Sequence, residues 1–237
     1  MKKVLKGKVT GREQVTPEVF ELRFSSELAE IIPGQFLSIL CPPKTLRRPF
    51  GVAGFENGIL RVLIRVKGEG TKYLASLKEG DEIDFLAPLG NNFSLENKKS
   101  LLVGAGIGTA PLLYLNCELK KRGIQTLLIS GFKSEGEIVQ GCDSVKVGGS
   151  ILDEVQHYIN EFKPEKIYSC GPEIVLKMLS QTGMDQNIDV EVAMEKHMAC
   201  GIGVCRGCVI DVMRNGVKTK ASVCVNGPVF KGSEVVW

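Results

Sequence analysis

Four of the chain's eight cysteines fall in one C-terminal stretch, ACGIGVCRGCVIDVMRNGVKTKASVC, as Cys200, Cys205, Cys208 and Cys224. The first three follow the C-x4-C-x2-C spacing that wraps a chain around a plant-type 2Fe-2S cluster, with a fourth thiolate arriving later. Zinc sites pair their cysteines as C-x2-C, twice, and the longer first step fits them poorly. Gly201, Gly203 and Gly207 free the backbone for left-handed angles and let amide groups approach inorganic sulfide. Such amides tune a reduction potential, so the stretch points to electron transfer. The alternatives are a zinc-stapled module or a set of buried structural thiols. The other cysteines, Cys41, Cys117, Cys142 and Cys170, show no ligand spacing and read as small core residues.

The rest of the composition excludes several classes. Hydrophobic content of 43% with 24% charged residues is that of a globular protein. The formal net charge of +3 makes no case for nucleic acid. No run is apolar enough to span a bilayer, and MKKVLKGKVTGREQV lacks the apolar stretch that follows the lysines of a signal peptide. Thiols in such a chain imply the reducing cytoplasm. With 237 residues there is room for one large domain, or two modest ones and an appendage.

Three styles of patterning follow one another. VFELRFS, GQFLSILCP, GILRVLIRV and DEIDFLAPLG read as strands separated by turns at Pro33-Gly34, Asn57-Gly58 and Glu79-Gly80, which predicts a small antiparallel barrel over residues 1–96. From SLLVGAGIGTAPLLYLNCELKKRG onward, strands (TLLISGF, KIYSCG, DVEVAMEK) alternate with helices (ILDEVQHYINEF, PEIVLKMLSQTG). That alternation predicts a Rossmann-like parallel α/β domain over residues 97–194. The cysteine module occupies residues 195–237.

Within this frame, Gly104, Gly106 and Gly108 sit between a strand and a helix, where backbone amides meet a pyrophosphate. The spacing departs from G-x-G-x-x-G, and a tight structural turn is the competing reading. Cys170-Gly171-Pro172 is a second strand-end turn at the same edge. For the ribose, Glu135 and Glu137 are the nearest acids, while Lys133 beside them leaves NAD against NADP open. In the barrel, Arg47 and Arg48 precede Pro49-Phe50, and Gly68-Glu69-Gly70-Thr71 follows the strand LIRV as a loop with a hydroxyl and free amides. Both suit a flavin dinucleotide, and read singly both are also ordinary surface. His157 lies in a helical stretch and His197 precedes the cysteines, and neither has an evident catalytic partner.

Taken in order, PGQF, RRPF, GEGT, APLGN, GAGIGTAP, CGP and MACGIGVCRGC resemble the ferredoxin-reductase superfamily over nearly the whole chain. Within it they resemble the electron-transfer subunit of the NAD-linked, two-subunit dihydroorotate dehydrogenase of type B. The resemblance implies an FAD-binding barrel, a nucleotide-binding domain and a 2Fe-2S module. It implies that Arg48, Pro49, Phe50 and Gly51 line the FAD, with Leu63, Ile64 and Arg65 along the flavin and Gly70 and Thr71 at its pyrophosphate. Gly104, Gly106 and Gly108, with Cys170, Gly171 and Pro172, would face the nicotinamide nucleotide, and Cys200, Cys205, Cys208 and Cys224 would ligate the iron. One departure is Gly51, where the family has a serine whose hydroxyl bonds the flavin. The implied scheme runs from dihydroorotate to an FMN in a catalytic partner subunit, then through the cluster and the FAD to NAD, in a heterotetramer of two copies of each chain that serves pyrimidine biosynthesis. No catalytic residue is expected here. The small subunit of NADH-dependent ferredoxin:NADP oxidoreductase, with the related sulfide dehydrogenase, shares the architecture but tends to depart from the cysteine pattern and from RRPF.

Overall fold

A computed structural model describes residues 3–237. The first unit is a seven-stranded sheet with order β4-β3-β7-β1-β2-β6-β5. Its strands are β1 (Lys3–Gln14), β2 (Val19–Ser25), β3 (Phe36–Ile39), β4 (Arg48–Gly51), β5 (Gly54–Glu56), β6 (Ile59–Arg65) and β7 (Glu82–Leu89), with α1 (Glu69–Ser76) between the last two. All its pairings are antiparallel. The curl comes from β1, whose first half, Lys3–Lys8, pairs with β7 and whose second half pairs with β2 across a register shift between Val9 and Gly11. Such a bulge bends a strand and raises its twist. The β2 carbonyl of Ser25 approaches so closely there that a β-carbon on Gly7 would lie 2.0 Å from its oxygen. The curled sheet encloses one core, in which Phe20, Phe24, Leu37, Ile39, Leu60 and Phe85 are fully buried. Phe24 and Phe85 meet edge to face at 5.1 Å. The segment Gly68–Thr71, expected as a loop, is the cap and first turn of α1.

The second unit is a six-stranded sheet with order β10-β9-β8-β11-β12-β15. It contains β8 (Ser100–Ala105), α2 (Thr109–Lys121), β9 (Thr126–Phe132), β10 (Ser144–Val147), α3 (Leu152–Phe162), β11 (Lys166–Cys170), α4 (Glu173–Gln186) and β12 (Asp189–Ala193). Its strands are parallel except the last. The winding reverses between β8 and β11, so the turns that follow these two strands open side by side at the carboxyl edge.

The C-terminal segment forms a hairpin of β13 (Val209–Arg214) and β14 (Val217–Ser222), a single-turn α5 (Val223–Asn226) and β15 (Val229–Lys231). β15 pairs antiparallel with β12 and so closes the edge of the nucleotide-domain sheet. The Asn91 side chain locks this return. Its amide donates to Val229 O (2.8 Å) and Asn226 O (3.2 Å), and its carbonyl accepts from Val229 N (2.9 Å). β10, α5 and β15 carry no periodicity long enough to be read from the sequence, whereas the β13–β14 hairpin was missed although Asn215-Gly216, both at positive φ, marks its turn.

At the opposite, amino edge of the parallel sheet lies a buried lysine. Lys166 Nζ, with its side chain 1% exposed, shares its three hydrogens among oxygens of Ser94 (2.7 Å), Asp189 (2.9 Å), Glu191 (3.0 Å) and Glu96. Burial alone would favour the neutral amine, but these partners outweigh it and hold the ammonium form. The network joins the linker between the two units to β11 and β12. Lys166→Met is expected to destabilise the chain by about 3–5 kcal/mol, because it leaves clustered carboxylates without their cation. Hydrogen bonds from Lys166 and Lys98 lower the Glu96 pKa to about 2. The contribution of that carboxylate is therefore complete above its ordinary value of 4.5 and lost as pH falls toward 2. Denaturant titrations at pH 6 and pH 3 should show a loss in the wild type that is smaller in the variant.

Candidate functional site

A cleft of about 270 Å³ opens where the barrel, the carboxyl edge of the parallel sheet and the cysteine segment meet. β4 contributes Pro49, Phe50 and Gly51, and the end of β6 contributes Leu63, Ile64 and Arg65. The opposite wall is Ile107, Ala110 and Pro111 from the glycine turn and the start of α2, with Cys170 from the second turn. Met194, Glu195, Lys196, Met198 and Pro228 close it from the C-terminal side. Apolar walls with a few polar groups suit a flat aromatic ring system.

A second groove continues from this cleft, since Pro49, Phe50 and Lys67 line both. Here Arg48, Lys44 and Lys67 surround the first turn of α1, with Gly68, Glu69, Gly70 and Thr71. Cations around free helix-start amides form an anion site. The Thr71 hydroxyl is engaged locally, accepting from Lys67 N (2.9 Å) and Gly68 N (3.1 Å), and Lys44 pairs with Glu69, which leaves the amides of the first turn with Arg48 and Lys67 to meet phosphate. The apolar cleft and the basic groove together fit FAD.

The paired arginines have different tasks. Arg47 turns to β7, with Nη2 2.7 Å from Asp84 Oδ1 and Nη1 donating to Asp84 O. Arg48 folds over Gly70, its guanidinium hydrogen-bonding among the described residues to the carbonyls of Leu46 and Arg47 and to no carboxylate. A β-carbon on Gly51 would point at the Pro111 ring, 3.4 Å away, so a side chain here would lean on the nucleotide-domain wall.

Gly104, Gly106, Gly108, Gly171 and Pro172 do not line the cleft. Two of these glycines serve close packing, Gly108 between the two turns and Gly104 within its own. A β-carbon on Gly108 would lie 2.7 Å from Cys170 O, and one on Gly104 would lie 2.5 Å from the Thr109 hydroxyl. The two strand-end turns thus touch backbone to backbone. The Cys170 thiol is buried, which raises its pKa well above the ordinary value, and Glu195 adds to the rise. Glu195 is open to the lumen of the cleft, yet the surrounding walls crowd it and raise its carboxyl pKa, with Lys67 opposing.

Sequence reasoning missed Lys44, Lys67, Glu195 and Met198. Lys67 adjoins GEGT and was legible as a cation beside a phosphate turn, whereas the others carry no motif. His157 and His197 are exposed and line neither depression.

In the cysteine loop, Cys208 and Cys224 are buried, Cys200 is half-buried and Cys205 is exposed. Backbone amides reach three of the sulfurs at 3.4 Å: Cys205 N to Cys200 Sγ, Gly207 N to Cys205 Sγ, and Cys224 N to Cys208 Sγ. The amides of Cys205 and Ile202 lower the Cys200 pKa, while burial raises that of Cys224. Among the described residues, no three ligating side chains have closed to metal-binding geometry. Three thiols in the loop and a fourth on α5, with amides turned to sulfur, have the chemistry that a 2Fe-2S cluster asks of its donors.

Comparison with known proteins accords with this arrangement. Residues 195–236 match the family described as the iron-sulfur cluster binding domain of dihydroorotate dehydrogenase B. Over 98% of its length the chain is 38% identical to the dihydroorotate dehydrogenase B (NAD(+)) electron transfer subunit of Caldanaerobacter subterraneus subsp. tengcongensis, of which 98% is covered. The protein of that name from Listeria innocua is 34% identical, with 96% of this chain and 97% of the relative aligned. The chain belongs to the dihydroorotate dehydrogenase B electron transfer subunit family. Among solved structures, that of the NADH-dependent reduced ferredoxin-NADP oxidoreductase superposes with a TM-score of 0.85 at 27% identity, covering 98% of this chain and 90% of the other. A ferredoxin-NADP+ reductase from Plasmodium falciparum shares the fold, with a TM-score of 0.64 at 18% identity over 80% of this chain and 96% of that one.

The division between the arginines can be tested in this family member. Arg48→Ala should weaken FAD retention by about 1.5–3 kcal/mol, the scale of a charge-assisted hydrogen bond. Arg47→Ala should leave FAD affinity unchanged and lower folding stability by about 1 kcal/mol. Flavin occupancy after dialysis, set beside a denaturation midpoint, separates the two effects.

Proposed function

We propose that this chain takes electrons released by dihydroorotate oxidation on an FMN-bearing partner subunit and delivers them to NAD. The observation that carries this reading is the shared cleft, in which the flavin strands β4 and β6, the glycine-turn wall and Met198 of the cysteine segment border one cavity. Three tasks fall to three stretches of chain: residues 1–96 hold FAD, residues 97–194 receive the nicotinamide nucleotide, and residues 195–237 hold a 2Fe-2S cluster. A bound flavin supplies the exchange between a two-electron hydride and the single electrons of an iron-sulfur cluster.

This chain's own residues bind and orient. Pro49, Phe50, Gly51, Leu63 and Ile64 grip a flat ring between apolar surfaces, and Arg48 with the amides of Gly70 and Thr71 neutralises a diphosphate. The turns at Gly104–Gly108 and Cys170–Pro172 present the dinucleotide to the open face of that ring. The thiolates of Cys200, Cys205, Cys208 and Cys224 hold iron, and exposed Cys205 marks the side that faces the partner. The catalytic base for dihydroorotate belongs to the partner, in a complex of two copies of each chain in the cytoplasm. No helix among the described residues is long and apolar enough to cross a membrane.

A second reading rests on the superposition with the NADH-dependent reduced ferredoxin-NADP oxidoreductase. Co-purification of the native complex distinguishes the two. Dihydroorotate-dependent NAD reduction supports the first, and transfer between NADPH and ferredoxin without dihydroorotate activity supports the second. Cys205→Ser should remove the cluster's absorbance and stop electron flow from the partner, while NADH still reduces the FAD at its usual rate. A variant that keeps normal cluster absorbance would remove Cys205 from the ligand set.

A further inference from the structure

The cleft has to be fed with protons as well as electrons. An iron-sulfur cluster passes electrons singly and carries no proton with them, whereas a nicotinamide accepts a hydride, which is two electrons and one proton. Each hydride that leaves a flavin for NAD therefore needs one proton that the cluster does not bring. A ring held between apolar walls meets little water, so a side chain of the wall must deliver it.

The wall offers few candidates. Among the described residues that line the cleft there is no histidine, serine, threonine, tyrosine or aspartate, and only Arg65, Lys67, Cys170, Glu195 and Lys196 carry an ionisable group. Guanidinium and ammonium groups keep their protons near neutrality. Two of these cations are also engaged elsewhere. Arg65 Nη2 lies 2.7 Å from Glu137 Oε1 and 2.9 Å from Glu18 Oε2, and Lys196 Nζ donates to Glu173 Oε2 at 2.6 Å. The Cys170 thiol is buried and held well above its ordinary value, so it keeps its proton too. Gly51, on the strand β4 that borders the same cleft, has no side chain to contribute.

Glu195 remains as the single carboxyl of the wall. Crowding by its surroundings favours the protonated form, and Lys67 is the one charge that opposes it. The backbone is tied on both sides of the residue: Met194 N donates to Pro228 O at 2.8 Å, and Lys196 reaches Glu173 at the start of α4. Glu195 is thus presented from a fixed stretch of chain, and its own exposure lets solvent restore a proton that it gives up.

We propose that Glu195 is the proton donor of this cleft, giving one proton to the flavin ring for every pair of electrons that arrives from the cluster. The proposal rests on the reading that the cleft holds the flavin and the cysteine segment the cluster. Atoms and electrons balance: two electrons from the cluster and one proton from Glu195 leave together as the hydride that converts NAD to NADH, and a solvent proton restores the carboxyl. In the opposite direction a hydride from NADH carries its own proton to the ring. Glu195 has no part in that step and accepts a proton only when the electrons move on to the cluster.

The test uses the FAD-loaded complex with its catalytic partner, as wild type, Glu195→Gln and Glu195→Asp. Infrared spectra should show a protonated-carboxyl band that titrates above the ordinary carboxyl value of 4.5 and is missing from Glu195→Gln. In stopped flow, FAD reduction driven by dihydroorotate should slow by about tenfold or more in Glu195→Gln, and Glu195→Asp should recover part of the loss. The wild-type rate should fall as pH rises through the raised value, because the acid form is the donor, and Glu195→Gln should lose that limb. FAD reduction by NADH should change by less than about twofold, whereas a merely structural carboxyl would slow both directions alike. Equal slowing in the two directions, or an unchanged dihydroorotate-driven rate, overturns the proposal. If Glu195→Gln does not retain FAD, the wild-type infrared titration decides, and the absence of a band above the ordinary range overturns it. A complex that does not oxidise dihydroorotate overturns the functional reading instead, and the infrared titration then decides for Glu195 alone.

Discussion

The grip of Asn91 on the returning C-terminal chain is the contact on which the rest of the molecule's arrangement depends. A cysteine loop that merely followed β12 would be free to point anywhere. Because Asn91 bonds Asn226 and Val229, and β15 then pairs with β12, the loop must double back across the end of the barrel. Gly201 comes to rest against Leu89 at the end of β7, and a β-carbon on Gly90 would lie 2.5 Å from Pro228, so this seam has no room for side chains. Met198 and Pro228 reach the cleft as a consequence. Electron transfer depends steeply on distance, and a backbone seam holds distance better than a flexible surface contact.

Two charge systems, each built on one buried group, Lys166 or Glu137, secure the other joints. Lys166 sits at the amino edge of the parallel sheet and draws the linker carboxylate Glu96 onto β11 and β12. Arg65 sits at the carboxyl edge and draws the turn after β9 onto the barrel. Apolar residues fill the interface between these points: Val19, Ala53 and Leu63 from the barrel pack with Ala110, Phe132 and Val139. Hydrophobic contact supplies most of the adhesion but is non-directional. The ion pairs add direction, since a misplaced partner would leave a charge buried and unpaired. The relative setting of the flavin strands and the glycine turn is therefore specified at both ends of the sheet.

Much of this was legible in the residues. Alternation in VFELRFS predicted β2, and its bounds coincide with those observed. The same holds for TLLISGF and β9. The glycine turn and the second turn at Cys170 each fall between a strand and a helix as read, because turn chemistry is local, whereas of the four cysteines Cys224 stands on α5 and not in the loop with the others. GEGT was misjudged as a loop, since two glycines in four residues argue against a helix. α1 forms there because Leu74 buries against the barrel core and the Thr71 hydroxyl folds back onto the Lys67 and Gly68 amides just ahead of its first turn. Short strands such as β10 and β15 were invisible, because three or four residues hold no periodicity and pair only where a neighbouring edge exists.

The sequence by itself determined the sequence-local chemistry: a barrel of alternating strands, an α/β domain with glycine turns at its strand ends, and four thiolates at iron-sulfur spacing. Each of these follows from residues near one another in the chain, where period and spacing are sufficient. Tertiary structure alone decided which arginine of Arg47-Arg48 faces the basic groove, that Lys67 and Glu195 join the cleft, and that Glu137 rather than Glu135 is turned toward the glycine turn. Those outcomes rest on contacts between residues up to more than a hundred positions apart, such as Thr16 with Gly136 and Asn91 with Val229. No pattern along the chain encodes such contacts. They exist only once two packed surfaces have fixed which charges can reach each other.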